Sequence, residues 1–256
     1  MVRLLLSALL VLAPVQEAPR HDSVPPTLPA LRTGVLIFSK TNGYRHADQI
    51  PHSVAVLGEL ARAAGQRSVA TENGAVFSDD GLARFRIVVL DNSSGDVWSE
   101  PQRAAFRRWI ERGGRVLALH AAGGDPSYAW DWYPRELIRA QFVGHPGQAD
   151  QFQAGVFRVE APRHPVMRGV RLPWRPVDEW YSFAASPRGR VEVLASIDPA
   201  SYRAAPGQTM ADHPVVWTHR IGEGRVVYSA LGHRPQAYDD PNYRRILANA
   251  LRWLAR

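Results

Sequence analysis

The sequence contains no cysteine among its 256 residues. This absence excludes a thiol nucleophile, a disulfide framework, a thiolate zinc site and the lipid-attachment cysteine of bacterial lipoproteins. Lysine is almost absent too, because Lys40 is the only one, so the formal net charge of +7 comes from arginine. The arginines form no basic run of five or more and accompany no nucleic-acid motif. A nucleic-acid partner is therefore not expected.

Several local signatures of catalysis are also missing. The chain has no HExxH or HxH pair, no glycine-rich nucleotide loop before a helix and no GxSxG elbow. A site that uses histidine or a metal must therefore be assembled from distant segments of the chain.

The amino terminus differs from the rest of the chain. A charged start is followed by the apolar run Leu4–Val15, which is too short for a membrane span and is typical of a signal peptide. We therefore predict a signal peptide at residues 1–18, export to the periplasm or the cell exterior, and no stable membrane span after processing. A retained anchor and a cytoplasmic location are the alternatives. Residues 19–32 contain four prolines and are predicted to be a disordered leader.

Residues 33–256 are predicted to form one domain of the α/β class. Apolar strands at 33–39, 67–72, 86–90 and 115–119 alternate with amphipathic helices, which is typical of a mainly parallel sheet. Residues 214–219 and 225–231 flank Ile-Gly-Glu-Gly and predict an added β-hairpin. The strand 115–119 is expected to be central and ends on His120. In such sheets ligands bind outside the carboxyl ends of the strands.

The candidate site residues fall in loops and at predicted strand ends. Imidazoles and carboxylates from these positions would form either an acid/base pair or a site for a metal such as Zn²⁺. Aromatic rings in polar contexts suit the C–H faces of sugars. We assign catalysis to His120, Glu179 and His233, metal binding to His46, His120, His145 and His233, and substrate contact to Tyr44, Arg45, His46, Asp178, Trp130, Trp132 and Trp180.

A series of motifs carries a family resemblance: GYRH (43–46), GGRVLALHAA (113–122), FVGHP (142–146), HPVMRGV (164–170), DEWYSF (178–183), PVVW (214–217) and GEGRVVYSALGH (222–233). In this order and spacing, the series resembles the trehalose-utilisation (ThuA-like) family over residues 33–256. The resemblance implies a flavodoxin-like three-layer sandwich of the class I glutamine amidotransferase type. It places His120 at the amidotransferase nucleophile position and His233 near the C-terminal catalytic histidine. It also implies use of disaccharides such as trehalose and their 3-keto derivatives.

Three functions remain in competition. The first is an enzyme without glutaminase activity that acts on a disaccharide or keto-sugar through a His/Glu site. The second is a sugar-binding module that has no catalytic activity, and the third is a metal-dependent hydrolase. A small sugar is the expected partner, and whether the chain forms a homo-oligomer is left open.

Overall fold

The structure, a computed structural model, describes residues 21–29 and 34–256. The predicted signal peptide at residues 1–18 lies outside the described residues, so export remains a prediction. Within the described residues, no helix is both long enough and apolar enough to cross a membrane.

The described strands and helices follow the predicted alternation. The strands are β1 (Gly34–Phe38), β2 (Ser68–Thr71), β3 (Phe85–Asp91), β4 (Arg115–Leu119), β5 (Phe142–Gly144), β6 (Gln153–Ala154), β7 (Phe157–Val159), β8 (Val177–Asp178), β9 (Ser182–Phe183), β10 (Glu192–Ile197), β11 (Pro214–Ile221) and β12 (Gly224–Ser229). The α-helices are α1 (Gln49–Ala63), α2 (Asp79–Leu82), α3 (Glu100–Glu111), α4 (Pro235–Asp239) and α5 (Pro241–Leu254).

One eight-stranded sheet in the order β2-β1-β3-β4-β12-β11-β10-β7 forms the centre of the domain. The pairs from β2 to β12 are parallel, and those from β12 to β7 are antiparallel. β4 lies between β3 and β12, so the strand that ends on His120 is central, as predicted. β11 and β12 form the predicted hairpin, with Ile221 opposite Gly224. The mainly parallel α/β fold is thus confirmed.

Helices cover both faces of the sheet. The crossover from β1 to β2 runs in one direction across the sheet and that from β3 to β4 in the other, so right-handed connections place α1 and α3 on opposite faces. α1 packs with α4 and α5, and α3 packs with α2. Polar side chains cap some of the helices: for example, Asp240 accepts hydrogen bonds from the backbone of Asn242 and Tyr243 at the start of α5.

The described part of the predicted leader contacts the domain. Residues 21–29 contain no helix or strand, but Asp22 is anchored to the domain. Its Oδ2 accepts hydrogen bonds from Lys40 Nζ at 2.6 Å and from the backbone N–H of Gly74 at 2.7 Å. The proline-rich composition predicts a disordered leader, and it gives no sign of this ion pair with the chain's only lysine.

Candidate functional site

The carboxyl edge of the sheet gathers side chains from four distant segments. His120 follows β4 directly, His46 lies in the loop after β1, and His233 follows the end of β12. Since β1, β4 and β12 are parallel, their carboxyl ends meet at one edge. Glu179 follows β8, a short strand outside the main sheet, and joins the three histidines. We call these four residues the His/Glu cluster.

The ligand atoms of the cluster lie within 4.8 Å of one another. His233 Nδ1 is 3.1 Å from His46 Nε2, 3.1 Å from His120 Nε2 and 3.0 Å from Glu179 Oε2. His120 Nε2 is 3.4 Å from the same carboxylate oxygen. One ring nitrogen carries either a single hydrogen or a single lone pair, so His233 Nδ1 can make at most one ordinary hydrogen bond to these three atoms.

This donor set fits a divalent metal ion. Bonds of about 2.0–2.1 Å to a tetrahedral Zn²⁺ place neighbouring ligand atoms about 3.3 Å apart, close to the separations found here. The His120 Nδ1 atom is 2.8 Å from the carbonyl oxygen of Ala230, which can only accept, so Nδ1 donates, and in the neutral ring Nε2 presents its lone pair to the cluster. The other ring nitrogen of His46, Nδ1, is buried and has no hydrogen-bond partner among the described residues.

The electrostatics keep His46 neutral and Glu179 ionised. Burial, together with His120 and His233, lowers the pKa of His46 to about 2. Burial by itself would raise the pKa of Glu179, but hydrogen bonds and charge from His120 and His233 outweigh it and hold this pKa well below the usual range. A neutral imidazole and a carboxylate are the forms that bind a metal.

The backbone at His120 forms a sharp turn. Its φ is +44°, in the left-handed region that side chains other than glycine seldom adopt, and residues 120–123 form a single 3₁₀ turn. Such a turn after a central strand presents a side chain above the sheet edge, as a nucleophile elbow does. The His120 side chain is fully buried there and stacks on Tyr181 at 4.2 Å between ring centroids.

Two further residues hold the cluster in place. The buried Asp178 carboxylate accepts hydrogen bonds from the backbone N–H groups of Gly232 at 2.8 Å, His233 at 3.1 Å and Glu179 at 2.9 Å. Asp178 is 1% exposed and its carboxylate binds backbone, so this geometry gives it a positioning role, and substrate contact by Asp178 stays a prediction. Gln151 Nε2 donates to Glu179 Oε1 at 2.6 Å, which leaves Oε2 facing the histidines.

A cleft of about 590 Å³ opens onto the cluster. This volume lies in the range of small-molecule sites. Tyr44, with 70% of its surface exposed, lines the cleft as predicted. His145 lines it too, but it lies outside the His/Glu cluster: its Nδ1 is 3.2 Å from Glu179 Oε1, the oxygen that faces away from the other histidines. His145 is thus a cleft residue that touches the cluster through Glu179, and its role as a metal ligand stays a prediction.

The remaining predicted contacts lie elsewhere. The Arg45 guanidinium pairs with Glu72 at 2.7 Å. Trp180 is fully buried and donates to the carbonyl oxygen of Gln153, while Trp130 and Trp132 stack on each other at 4.7 Å. None of these four residues is among the described residues that line the cleft, so their substrate contact stays a prediction that this cleft does not support. The three tryptophans in polar sequence contexts thus pack against protein.

Sequence reasoning missed several residues at the cleft, among them the polar residues Asp125, Gln151 and Tyr181. Tyr181 follows Glu179 by two positions, so in an extended segment its side chain lies on the same side, and this period of two could have found it. Asp125 and Gln151 lie in irregular segments, where no local pattern indicates which side chains reach the cleft.

The fold and the site together define an α/β protein of the flavodoxin-like type with a histidine- and glutamate-based site at the sheet edge. A family model described as trehalose utilisation (ThuA) matches residues 34–254, and the chain belongs to this family. Membership indicates a role in carbohydrate utilisation. A search of curated proteins finds no match.

Solved structures share the fold. A ThuA-like protein from Bacteroides uniformis has a TM-score of 0.74 at 23% identity, covering 90% of this chain and 95% of that one. A ThuA-like protein from Parabacteroides merdae has a TM-score of 0.66 at 19% identity, with 88% and 90% covered. A cytoplasmic protein from Salmonella typhimurium has a TM-score of 0.56 at 16% identity, with 86% and 98% covered.

Proposed function

We propose that this protein is a metal-dependent enzyme that acts on a disaccharide or keto-sugar bound in the cleft beside the His/Glu cluster. The observation that carries the proposal is the contact of His233 Nδ1 with three ligand atoms at 3.0–3.1 Å. Ordinary hydrogen bonds cannot account for all three contacts, whereas a shared cation accounts for each of them.

His46, His120, Glu179 and His233 would hold the ion, and the mixture of imidazole and carboxylate ligands favours Zn²⁺. When bound, such an ion supplies Lewis-acid polarisation of a carbonyl or hydroxyl oxygen. Gln151 and Asp178 keep the ligands in place by hydrogen bonds to the Glu179 side chain and to the backbone of the His233 loop.

The cleft favours an uncharged polyol as substrate. The described residues that line it include carboxylates and imidazoles, but neither lysine nor arginine, so no ammonium or guanidinium group there would pair with a phosphate or carboxylate on the sugar. The exposed ring of Tyr44 offers a flat apolar face for the C–H side of a sugar ring. The buried Tyr181 lines the same cleft, and burial raises the pKa of its hydroxyl well above the usual range, so this hydroxyl stays protonated and able to donate.

His145 is our candidate for proton transfer to or from the substrate. Its side chain is 38% exposed at the cleft, and Glu179 Oε1 lies 3.2 Å from its Nδ1. A positioned imidazole of this kind contributes about 10²–10⁴-fold to a rate.

The test combines metal analysis with turnover. The purified protein, its EDTA-treated form and the Zn²⁺-reloaded form are incubated with trehalose and 3-keto-trehalose, and products are followed by NMR. We expect one metal per chain and turnover only in the loaded forms. The variant His145→Asn should keep the metal and lose at least 10²-fold in kcat, whereas His52→Asn, at a surface pair with Asp239 outside the cleft, should keep both.

Two outcomes would overturn the proposal. Sugar binding without turnover of either sugar would favour the sugar-binding module, and a chain that takes up no metal would remove the cluster's assigned role.

A further inference from the structure

A second group of charged residues lies at the opposite edge of the sheet. Arg115 begins β4, Arg225 lies at the start of β12, and Arg220 lies near the end of β11. In the register of the sheet, Arg225 pairs with Arg115 on one side and with Arg220 on the other. This amino edge is remote from the His/Glu cluster, which the carboxyl ends of the same strands carry.

These cross-strand pairs break a rule of sheet stability. Like charges directly opposite each other are destabilising, and here one arginine faces two others. Among the described residues, no carboxylate lies within 4.0 Å of the guanidinium of Arg115, Arg220 or Arg225. Burial, together with Arg225, Arg86 and Arg220, lowers the pKa of Arg115, and the charge of Glu223 offsets this only in part. Departures of this kind from local stability occur at functional sites.

Two of these arginines, Arg220 and Arg225, border a groove of about 510 Å³. Its lining includes Arg190, Arg220 and Arg225, together with His219, Glu192 and Trp253. Glu192 is the one carboxylate of this lining, so the charged side chains around the groove carry a net positive charge.

Neutral groups orient the three guanidinium groups of the lining. Arg225 stacks over the Trp253 ring at 5.0 Å from its centroid. Arg190 Nη2 donates to the carbonyl oxygen of Arg139 at 2.7 Å, and Arg220 Nη2 donates to that of Glu223 at 3.4 Å. Carbonyl oxygens and an aromatic face fix these side chains without neutralising their charge. A site for an anion needs both properties.

We infer that this groove binds a small, multiply charged oxyanion, namely a phosphate or diphosphate group of a soluble ligand. The planar guanidinium fork matches phosphate oxygens with paired N–H donors. The groove thus differs in chemistry from the cleft, whose lining has no lysine or arginine among the described residues. An anion here would be a second ligand and not the substrate of the proposed reaction.

Calorimetric titration of the full chain with inorganic pyrophosphate, at ionic strength held constant with chloride, tests the inference. We expect saturable binding by the wild type and at least 10-fold weaker binding by Arg220→Gln and Arg190→Gln. The loss of one charge-assisted hydrogen bond is sufficient to weaken binding by this factor. Arg62→Gln, at an exposed arginine on α1, is the matched control and should bind as the wild type does.

The outcomes separate this groove from the His/Glu cluster. Wild-type protein that binds no pyrophosphate, or Arg220→Gln and Arg190→Gln variants that bind it unchanged, would overturn the inference. Binding that Glu179→Gln weakens while both arginine variants leave it intact would place the anion at the cluster and also overturn it. The metal content of the arginine variants should match the wild type, so failure here leaves the proposed metal-dependent function standing.

Discussion

Replacing Glu179 with glutamine tests the metal-binding role of the His/Glu cluster most directly. The substitution keeps the size of the side chain and removes the only negative charge in the cluster. In the wild type, the Glu179 carboxylate uses both of its oxygens: Oε2 faces His120 and His233, and Oε1 accepts from Gln151. An amide has one oxygen, so it cannot satisfy both sides. We expect the variant to fold and to bind Zn²⁺ more weakly than the wild type.

The size of the effect follows from mass action. A metal at 1,000 times its Kd stabilises the native state by about 4 kcal/mol. Loss of a residue that hydrogen-bonds to a metal ligand lowers metal affinity about 10–100-fold. Loss of a direct ligand should therefore lower it by at least about 100-fold. At the same free Zn²⁺ the variant then keeps about 1.4 kcal/mol of stabilisation and loses about 2.7 kcal/mol. For a domain of this size, that loss corresponds to about 5–11 °C in the zinc-induced rise of Tm.

The assay is thermal unfolding of EDTA-treated protein, followed by circular dichroism, with and without buffered Zn²⁺. The control is His52→Asn, because His52 and Asp239 form a surface pair at 2.9 Å that could also attract zinc. An equal zinc-induced rise of Tm in Glu179→Gln and wild type, or its loss in His52→Asn alone, would refute assignment of the metal to the cluster.

Three further predictions concern the support of the site and its response to acid. Asp178→Asn should lower the free energy of unfolding by about 2–3 kcal/mol, because a charged acceptor of three backbone hydrogen bonds is lost. The variant should also bind zinc more weakly, and an unchanged zinc affinity would contradict this prediction. Gly124→Ala should lower kcat, because a Cβ there would lie 2.6 Å from the ring of Tyr181, which stacks on His120. The control is Gly147→Ala, whose Cβ would meet no atom within 4 Å and which should leave kcat unchanged. In metal-free protein, urea unfolding at pH 7, 6 and 5 should show that the free energy of unfolding decreases as the pH is lowered. Burial lowers the pKa of His46 to about 2 and those of His213 and His219 to about 4, so below about pH 6.5 the unfolded chain takes up protons that the native state does not. Buried Asp91, with its pKa raised to about 6, and buried Asp178, whose pKa burial also raises, oppose this trend but do not reverse it. Stability that stays constant or increases as the pH is lowered would contradict the prediction.

The sequence predicts the fold well because buried parallel strands have a strong signal. β3 and β4 are continuous apolar runs, and both are almost entirely buried in the structure. Glycines and polar caps mark the ends of the helices between them. The short strands β5, β6, β8 and β9 were not predicted, because runs of two or three residues carry no periodicity that distinguishes them from loop.

The sequence predicts the members of the site better than their roles. Histidines at strand ends must meet at the carboxyl edge of a parallel sheet, so the approach of His46, His120 and His233 follows from topology. The tryptophans had no such constraint. Polar neighbours in the sequence made Trp180 look accessible, yet it is fully buried, because exposure in irregular segments depends on contacts between distant residues.

The pair Asp178 and Glu179 illustrates what a period of two can resolve. Adjacent residues of an extended segment point in opposite directions, so only one of the two carboxylates can face the cleft. Glu179 contacts the ring of His233, and Asp178 accepts a hydrogen bond from the backbone N–H of the same residue. The two neighbours therefore hold one histidine from two sides. The position of His233 in the cluster thus depends on a two-residue segment that lies 54 positions earlier in the chain.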